Sequence, residues 1–272
     1  TPGSRRFRGD HNNAAKPRQD VCSKRFKRSF QPMFTLFRRL CLCSVIVCAF
    51  SPPLLAAQAS YQPLMDKLLR VAPGINKQAL KHAVAAMQCA VNNGAEPAQR
   101  LAVIDYSQPS SARRLWVFDL KRNRLLLRDF VAHGRRSGEN FATQFSNQLG
   151  SYQSSLGLFR TEETYLGKHG YSLRMDGLEP GVNDRARERA IVIHAADYVN
   201  PRLVSRQGRI GRSLGCPAVR PEVARMVIDN LKGGQFMFSW FPDRRWLQNS
   251  NYLNCKPQRI AATLRSSRVN PG

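Results

Sequence analysis

The first periodic pattern of apolar residues in the chain is helical. Apolar positions recur every three or four residues over 64–71 and again over 77–92, which predicts a short helix followed by a longer one. Asn76 is suited to cap the start of the longer helix, and Gly94 lies where a left-handed residue commonly follows a helix end. These helices predict an N-terminal extension, residues 60–99, that packs on the domain after it.

From Leu101 onward the pattern becomes that of short strands. The apolar runs are rich in β-branched and aromatic residues, and Pro, Gly, Ser and Asn bound them. They cover 101–106, 115–120, 124–132, 158–161, 190–194 and 235–241. Residues 121–123 are expected to form a hairpin turn, and one amphipathic helix is expected over 221–232. The predicted fold class is therefore mainly β, with helical additions.

Residues 33–59 have the organisation of a secretory signal peptide. Arg38 and Arg39 precede an apolar run that ends at Phe50, and an Ala-x-Ala cleavage site ends at Ala59. The alternative is a transmembrane anchor, but a span needs roughly 20 apolar residues, more than this run provides. We expect cleavage after Ala59, a periplasmic or wall location, and no stable membrane anchor afterwards.

The two ends of the chain show no apolar periodicity. Residues 1–32 are basic and polar, and Met33 could be the natural start of the protein. We therefore expect the first segment to be disordered, and to come either from sequence upstream of the natural start or from sequence added to it. A long cytoplasmic tail is the alternative. Residues 256–272 are expected to form a disordered C-terminal tail.

Charge and cysteine content narrow the possible partners and the compartment. The chain has 43 Lys and Arg against 18 Asp and Glu, a net charge of +25, which favours a polyanionic partner. No nucleic-acid-binding motif is present, so we expect no nucleic acid, and an acidic surface polymer fits the charge equally well. Four of the seven cysteines precede residue 50. The three that remain after export suggest one disulfide and one free thiol.

Two segments carry candidate chemistry. His194 ends an apolar strand, and Cys216 lies in a loop between Gly215 and Pro217, just before the predicted helix. Such a loop can hold a thiol and direct backbone N–H groups at a developing oxyanion, and a neighbouring imidazole can take the thiol proton. Each residue alone is as well explained by a structural role. Together they favour a cysteine acyltransferase or peptidase.

Residues 89–255 resemble the L,D-transpeptidase catalytic domain of murein enzymes, in a divergent branch of that family. The matching segments are Val103–Ser107, Leu115–Val117, Ala132–Gly134, Ser155–Gly157, Gly167–Gly170, Ile193–Ala196 and Ser213–Ala218. The resemblance implies a β-rich catalytic domain over 100–255, a sandwich or barrel, with one helix after the catalytic loop. It implies no cofactor and no metal.

The resemblance also implies a mechanism and its residues. Cys216 would attack a carbonyl of a peptidoglycan stem peptide and expel D-Ala, with His194 as base and then acid, oriented through a carbonyl near Ala195. The N–H groups of Gly215 and Cys216 would form the oxyanion hole. The thioester would pass to an amine, as in a transpeptidase, or to water, as in a carboxypeptidase. Expected substrate contacts are His133, His169, Ser213, Ala195 and Arg212, although both loop histidines could equally face solvent.

The chain departs from the family pattern at two positions. Leu214 stands where most members have His, and Ala218 stands where an Arg is common, so the contact for a substrate carboxylate is unassigned unless Arg220 supplies it. Cys89 and Cys255 are the only other cysteines expected in the exported chain, and we expect them to pair.

Three other functions fit parts of the pattern. A zinc peptidase could use His169, His194 and Asp197, although no His-Glu-x-x-His motif is present. A papain-like wall peptidase also uses Cys and His, but usually with the Cys first in the chain. A non-catalytic wall-binding or nucleic-acid-binding module would follow from the charge alone.

Overall fold

A computed structural model describes residues 53–255, with side chains from residue 61 onward. The segments 1–32 and 256–272 and most of the predicted signal peptide lie outside the described residues. Helix α1 spans Pro53–Val71 and begins earlier than predicted, because the helix continues through Pro63. Among the described residues, no helix is both long and apolar enough to span a membrane.

Helix α2 spans Lys77–Asn92, as predicted. The Asn76 side chain caps it by accepting hydrogen bonds from the backbone N–H groups of Gln78 and Ala79. Both helices contribute to the same hydrophobic core as the strands, through fully buried residues such as Leu68, Leu80 and Val84. A disulfide joins Cys89 on this helix to Cys255, with the two Cα atoms 5.2 Å apart.

The rest of the described chain forms one eight-stranded sheet with three further helices. The strands are β1 (Arg100–Asp105), β2 (Leu115–Asp119), β3 (Arg124–Asp129), β4 (Gly157–Gly167), β5 (Gly170–Gly177), β6 (Val192–Ala195), β7 (Ala218–Val219) and β8 (Phe236–Trp240). The helices are α3 (Pro201–Gln207), α4 (Pro221–Leu231) and α5 (Arg244–Asn249). The strand order is β3-β2-β1-β8-β4-β5-β6-β7. This arrangement confirms the predicted mainly β fold with N-terminal helices and a helix after the candidate loop.

The sheet closes on itself where its two edges approach each other. The chain that follows β3 hydrogen-bonds to β7 and to the loop before it: the Ala132 N–H donates to the Ala218 carbonyl, and the Ser213 N–H donates to the His133 carbonyl, both at 2.9 Å. Gly134 forms an isolated bridge with Ser213. These bonds make the sheet nearly a barrel and place the Cys216 loop at the closure.

Several elements were not predicted from the sequence. Strand β5 alternates apolar and polar residues from Tyr171 to Asp176, a signal that the sequence analysis missed, and it pairs with β4 and β6. Strand β7 has two residues and exists through its parallel pairing with β6. Helix α3 begins with Pro201 after the capping residue Asn200, a local signal that the sequence analysis missed.

Candidate active site

The loop before β7 holds Cys216 in a conformation that depends on glycine. Gly215 has φ +123°, a backbone conformation that side chains rarely allow. A Cβ at this position would lie 2.8 Å from the carbonyl oxygen of Gln153. Glycine is therefore required beside the thiol both for its torsion angle and for the close approach of the neighbouring chain.

Ser213 holds the loop together rather than facing substrate. Its side chain is buried, accepts a hydrogen bond from the Gly215 N–H at 3.0 Å and donates one to the Cys216 carbonyl at 2.7 Å. The Gly215 N–H is therefore already bonded within the loop, which contradicts its predicted role in the oxyanion hole. The Cys216 N–H donates to no oxygen of the described residues and points toward its own thiol, so it is a backbone donor beside the nucleophile.

His194 lies on β6 and is only 3% exposed. Its Nδ1 lies 2.7 Å from the backbone oxygen of Ala195. Because a carbonyl can only accept, Nδ1 must carry the proton, which leaves the lone pair of a neutral ring on Nε2. Ala195 thus contributes its carbonyl to the orientation of the histidine, and the ring has the tautomer that a general base at Nε2 requires.

Parallel pairing of β6 and β7 brings the histidine strand beside the cysteine loop. His194 is opposite Ala218, two residues after the thiol. The Cys216 Sγ lies 3.6 Å from the Ala190 carbonyl oxygen, and the hydrogen bonds within 53–255 include none between Cys216 and His194. The thiol therefore faces Ala190 in this conformation, with His194 on the adjacent strand.

Burial and nearby charges shift the pKa of the Cys216 thiol in opposite directions. Burial raises the pKa of Cys216, whereas the Val192 N–H and the charges of Arg189 and Lys168 lower it. The net direction is upward, so the resting group is a neutral thiol. For His194, burial and then the charges of His169 and Lys168 lower the pKa, while the bond to Ala195 raises it. Both partners are therefore uncharged at neutral pH.

Arg189, which the sequence analysis missed, is held beside the loop by neutral acceptors. It donates to the carbonyls of Ser146 and Gln153, both at 2.6 Å, and to the hydroxyls of Ser155 and Ser151. No described carboxylate pairs with it. Its positive charge therefore acts on the thiol without an ion-pair partner, and no sequence motif marks it.

The turn between β4 and β5 reaches the histidine. The exposed His169 stacks on His194, with ring centroids 4.3 Å apart and an angle of 24° between the planes. Lys168, its neighbour in the turn, is close enough to influence the pKa values of both His194 and Cys216. Of the two loop histidines considered from sequence, His169 is therefore the one that lies at the candidate site.

His133 is a correction to the predicted substrate contacts. It is 0% exposed, so it neither reaches substrate nor faces solvent. Its Nδ1 lies 2.7 Å from Arg114 Nη2, a donor, and its Nε2 lies 3.2 Å from the Gly138 carbonyl. Burial and the Arg114 charge lower the pKa of His133 to about 4. His133 is thus a neutral, buried support for the chain segment that closes the sheet.

Both of the arginines near the loop in sequence already have an acidic partner. Arg212 forms an ion pair with Glu139 and donates to the Gly138 carbonyl at 3.0 Å. Arg220 holds Asp129 with two hydrogen bonds of 2.9 and 2.6 Å, so it does not replace the arginine that the family commonly has at position 218. Leu214 is 53% exposed beside the thiol.

Within the described part of the chain, no three His, Cys, Asp or Glu residues are grouped so that they could hold a metal ion. A cavity of about 650 Å³ lies between α5 and the chain near Phe145 and Pro180. Neither Cys216 nor His194 lines it, so the chemistry of the nucleophile loop and not cavity size identifies the candidate site.

A family model of the L,D-transpeptidase catalytic domain matches residues 71–240, more than half of the chain. The chain belongs to the L,D-transpeptidase catalytic-domain family. Membership implies an enzyme of this type. No curated protein matches the chain in sequence.

Solved structures of L,D-transpeptidases are also similar to this chain. One, from Mycobacterium smegmatis, is 17% identical with a TM-score of 0.32, and the match covers 53% of this chain and 59% of that one. Another, from Stackebrandtia nassauensis, is 12% identical with a TM-score of 0.33, and the match covers 65% of this chain and 76% of that one. The chain thus spans less than two thirds of the first of these proteins.

Proposed function

We propose that this protein is an exported peptidoglycan L,D-transpeptidase or L,D-carboxypeptidase that acts through a thioester on Cys216. The observation that carries the proposal is the placement of His194, with Nδ1–H bound to Ala195 and Nε2 free to accept a proton, on the strand beside the Cys216 loop. Family membership makes the murein stem peptide the proposed substrate.

The proposed reaction begins with a neutral thiol and a neutral imidazole. The thiol turns from Ala190 toward His194, which accepts its proton as sulfur bonds to the substrate carbonyl carbon. The Cys216 N–H stabilises the oxyanion. The carbon–nitrogen bond then breaks, His194 returns the proton to the leaving amine, and D-Ala departs. An acceptor amine or water cleaves the thioester and restores the thiol.

We expect Cys216→Ala to abolish D-Ala release from purified disaccharide-tetrapeptide, because the nucleophile is lost. His194→Ala should lower the rate by several orders of magnitude, because the thiol keeps its proton at neutral pH. Mass spectrometry should detect the acyl fragment on Cys216 in the unaltered enzyme only. His82→Gln, which keeps an acceptor for Trp240 on α2, is a matched histidine control and should retain full activity.

The same assay separates the rival functions. A chelator should have no effect on D-Ala release. Release that survives Cys216→Ala but stops with the chelator would instead favour a zinc peptidase. Binding to murein without any D-Ala release would favour a wall-binding module, and adding an acceptor amine separates cross-linking from hydrolysis.

A further inference from the structure

The basic residues around the nucleophile loop differ in whether an acidic partner neutralises them. Arg212 and Arg220 are paired with Glu139 and Asp129, and Ala218 is buried where the family commonly has arginine. The two arginines expected from the sequence therefore have acidic partners, and the position where the family commonly has arginine lacks a suitable side chain. Any carboxylate of substrate must be met by another cation near the loop.

Two arginines nearby face one aromatic ring. The guanidinium carbon of Arg135 lies 4.6 Å from the centroid of the Tyr152 ring, and that of Arg136 lies 5.4 Å from it. Both arginines are exposed, and within residues 61–255 neither forms an ion pair. Two like charges held against the same ring repel each other, and a bound anion would relieve that repulsion.

Direct backbone contacts connect this cluster, Arg135, Arg136 and Tyr152, to the nucleophile loop. The Arg135 N–H donates to the Ser213 carbonyl at 2.8 Å, and the Arg136 N–H donates to the Tyr152 carbonyl at 3.2 Å. Gln153, the next residue, has its carbonyl oxygen 2.8 Å from where a Cβ of Gly215 would lie. Tyr152 is thus next in sequence to the residue whose carbonyl approaches Gly215, the glycine that precedes Cys216.

The backbone accepts an unfavourable conformation to hold the ring there. Tyr152 has φ +55°, which a residue with a large side chain rarely adopts. Gly134 has no side chain, and a Cβ there would collide with the Tyr152 carbonyl oxygen. The close approach of the 134 and 152 segments is therefore built into the fold, and it keeps the ring within contact of both cations.

We propose that Arg135 and Arg136 bind a free carboxylate of the acidic donor peptide while its scissile bond lies at Cys216. Guanidinium groups recognise carboxylates through paired, charge-assisted hydrogen bonds, and Tyr152 keeps the two groups in position. This inference rests on the proposed function, and it assigns the contact that Ala218 cannot make.

The test compares two donor peptides that differ only in charge. The unaltered enzyme should release D-Ala from a stem tetrapeptide with free side-chain carboxylates with a kcat/KM about tenfold higher than from the same peptide with those carboxylates amidated. The double variant Arg135→Gln/Arg136→Gln should lose this preference. Its kcat/KM should fall on the free peptide and stay unchanged on the amidated one.

Arg113→Gln is the matched control, because Arg113 is also exposed and its guanidinium lies 5.8 Å from the centroid of the Phe130 ring. It should retain the preference, which excludes a general effect of net charge. Arg135→Lys/Arg136→Lys keeps the charge without the planar donors and should retain only part of the preference.

An undiminished preference in the double glutamine variant would overturn this inference while leaving the proposed function intact. Equal losses on both peptides, with an unchanged melting temperature, would also overturn it, because the arginines would then act on the loop and not on the carboxylate. Failure of the unaltered enzyme to release D-Ala from either peptide would overturn the proposed function itself, and this inference with it.

Discussion

Two buried histidines near the nucleophile loop have opposite tautomers because their partners differ. His194 donates from Nδ1 to a carbonyl, so its Nε2 accepts protons. His133 receives a hydrogen bond at Nδ1 from Arg114, which can only donate, so its Nε2 carries the proton and donates to Gly138. The same residue type thus provides a candidate base at one position and a structural support at the other.

Protonation of His133 should destabilise the fold in acid. The pKa of His133 is lowered from 6.5 to about 4 in the folded chain, so between these values the unfolded chain binds more protons. The free energy of unfolding should therefore fall by roughly 3 kcal/mol as the pH drops through this window. Urea unfolding at several pH values between 4 and 7 measures it. His133→Gln should lower the stability at pH 7 and flatten the acid dependence, and an unchanged slope would contradict this assignment.

At the scale of elements, the candidate site lies where the two ends of the sheet meet. Strands β6 and β7 position His194 and the Cys216 loop. From the segment after β3, the His133 carbonyl accepts a hydrogen bond from the Ser213 N–H, and the Arg135 N–H donates one to the Ser213 carbonyl. The loop is therefore supported from both sides of the closure. Its internal bonds, both through the Ser213 hydroxyl, set the direction of the N–H groups beside the thiol.

We expect Ser213→Ala to impair acylation of Cys216 more than it impairs folding. Loss of two buried hydrogen bonds should cost about 1–3 kcal/mol of stability. The acylation rate should fall roughly tenfold to a hundredfold, because the Gly215 and Cys216 backbone is no longer held. Thermal unfolding and mass-spectrometric acylation rates measure the two effects. Ser213→Thr keeps the hydroxyl and should retain most of the rate, whereas normal acylation in the alanine variant would show that these bonds are dispensable.

At the scale of the whole molecule, helix α1 extends across the predicted cleavage point. It begins at Pro53 and continues past Ala59 to Val71. After the cleavage point, Leu68 is fully buried and Leu64 packs against the same hydrophobic cluster. Cleavage after Ala59 would therefore keep the core contacts of Leu64 and Leu68.

We predict that the exported protein begins at Ser60, since the Ala-x-Ala site ends at Ala59. N-terminal sequencing of protein recovered outside the cytoplasm measures this directly. A bulky residue in place of Ala59 should prevent cleavage and leave the chain in the membrane fraction. Recovery of the unaltered protein in that fraction, with its apolar segment retained, would contradict the prediction.

The sequence alone was enough to predict the features that depend on residues close together in the chain. The periodicity and the Asn76 cap located α2, and the continuous apolar runs located β1, which is buried from Leu101 onward, and the fully buried β2. The Ser213–Ala218 motif and the strand-borne His194 marked the candidate site and the family. These signals are readable because hydrogen bonds within a helix and the burial of one strand are expressed over short stretches of chain.

Tertiary structure decided whatever depends on partners distant in the sequence. The buried His133 has its hydrogen-bond partner in Arg114, and the charge of Arg220 is neutralised by Asp129. The cluster formed by Arg135, Arg136 and Tyr152 exists only because the loop at residue 152 approaches Gly134. Even the two-residue β7 exists only through its pairing with β6. A sequence specifies which groups can bond, but only the folded chain determines which donors and charges are already satisfied and which remain free for substrate.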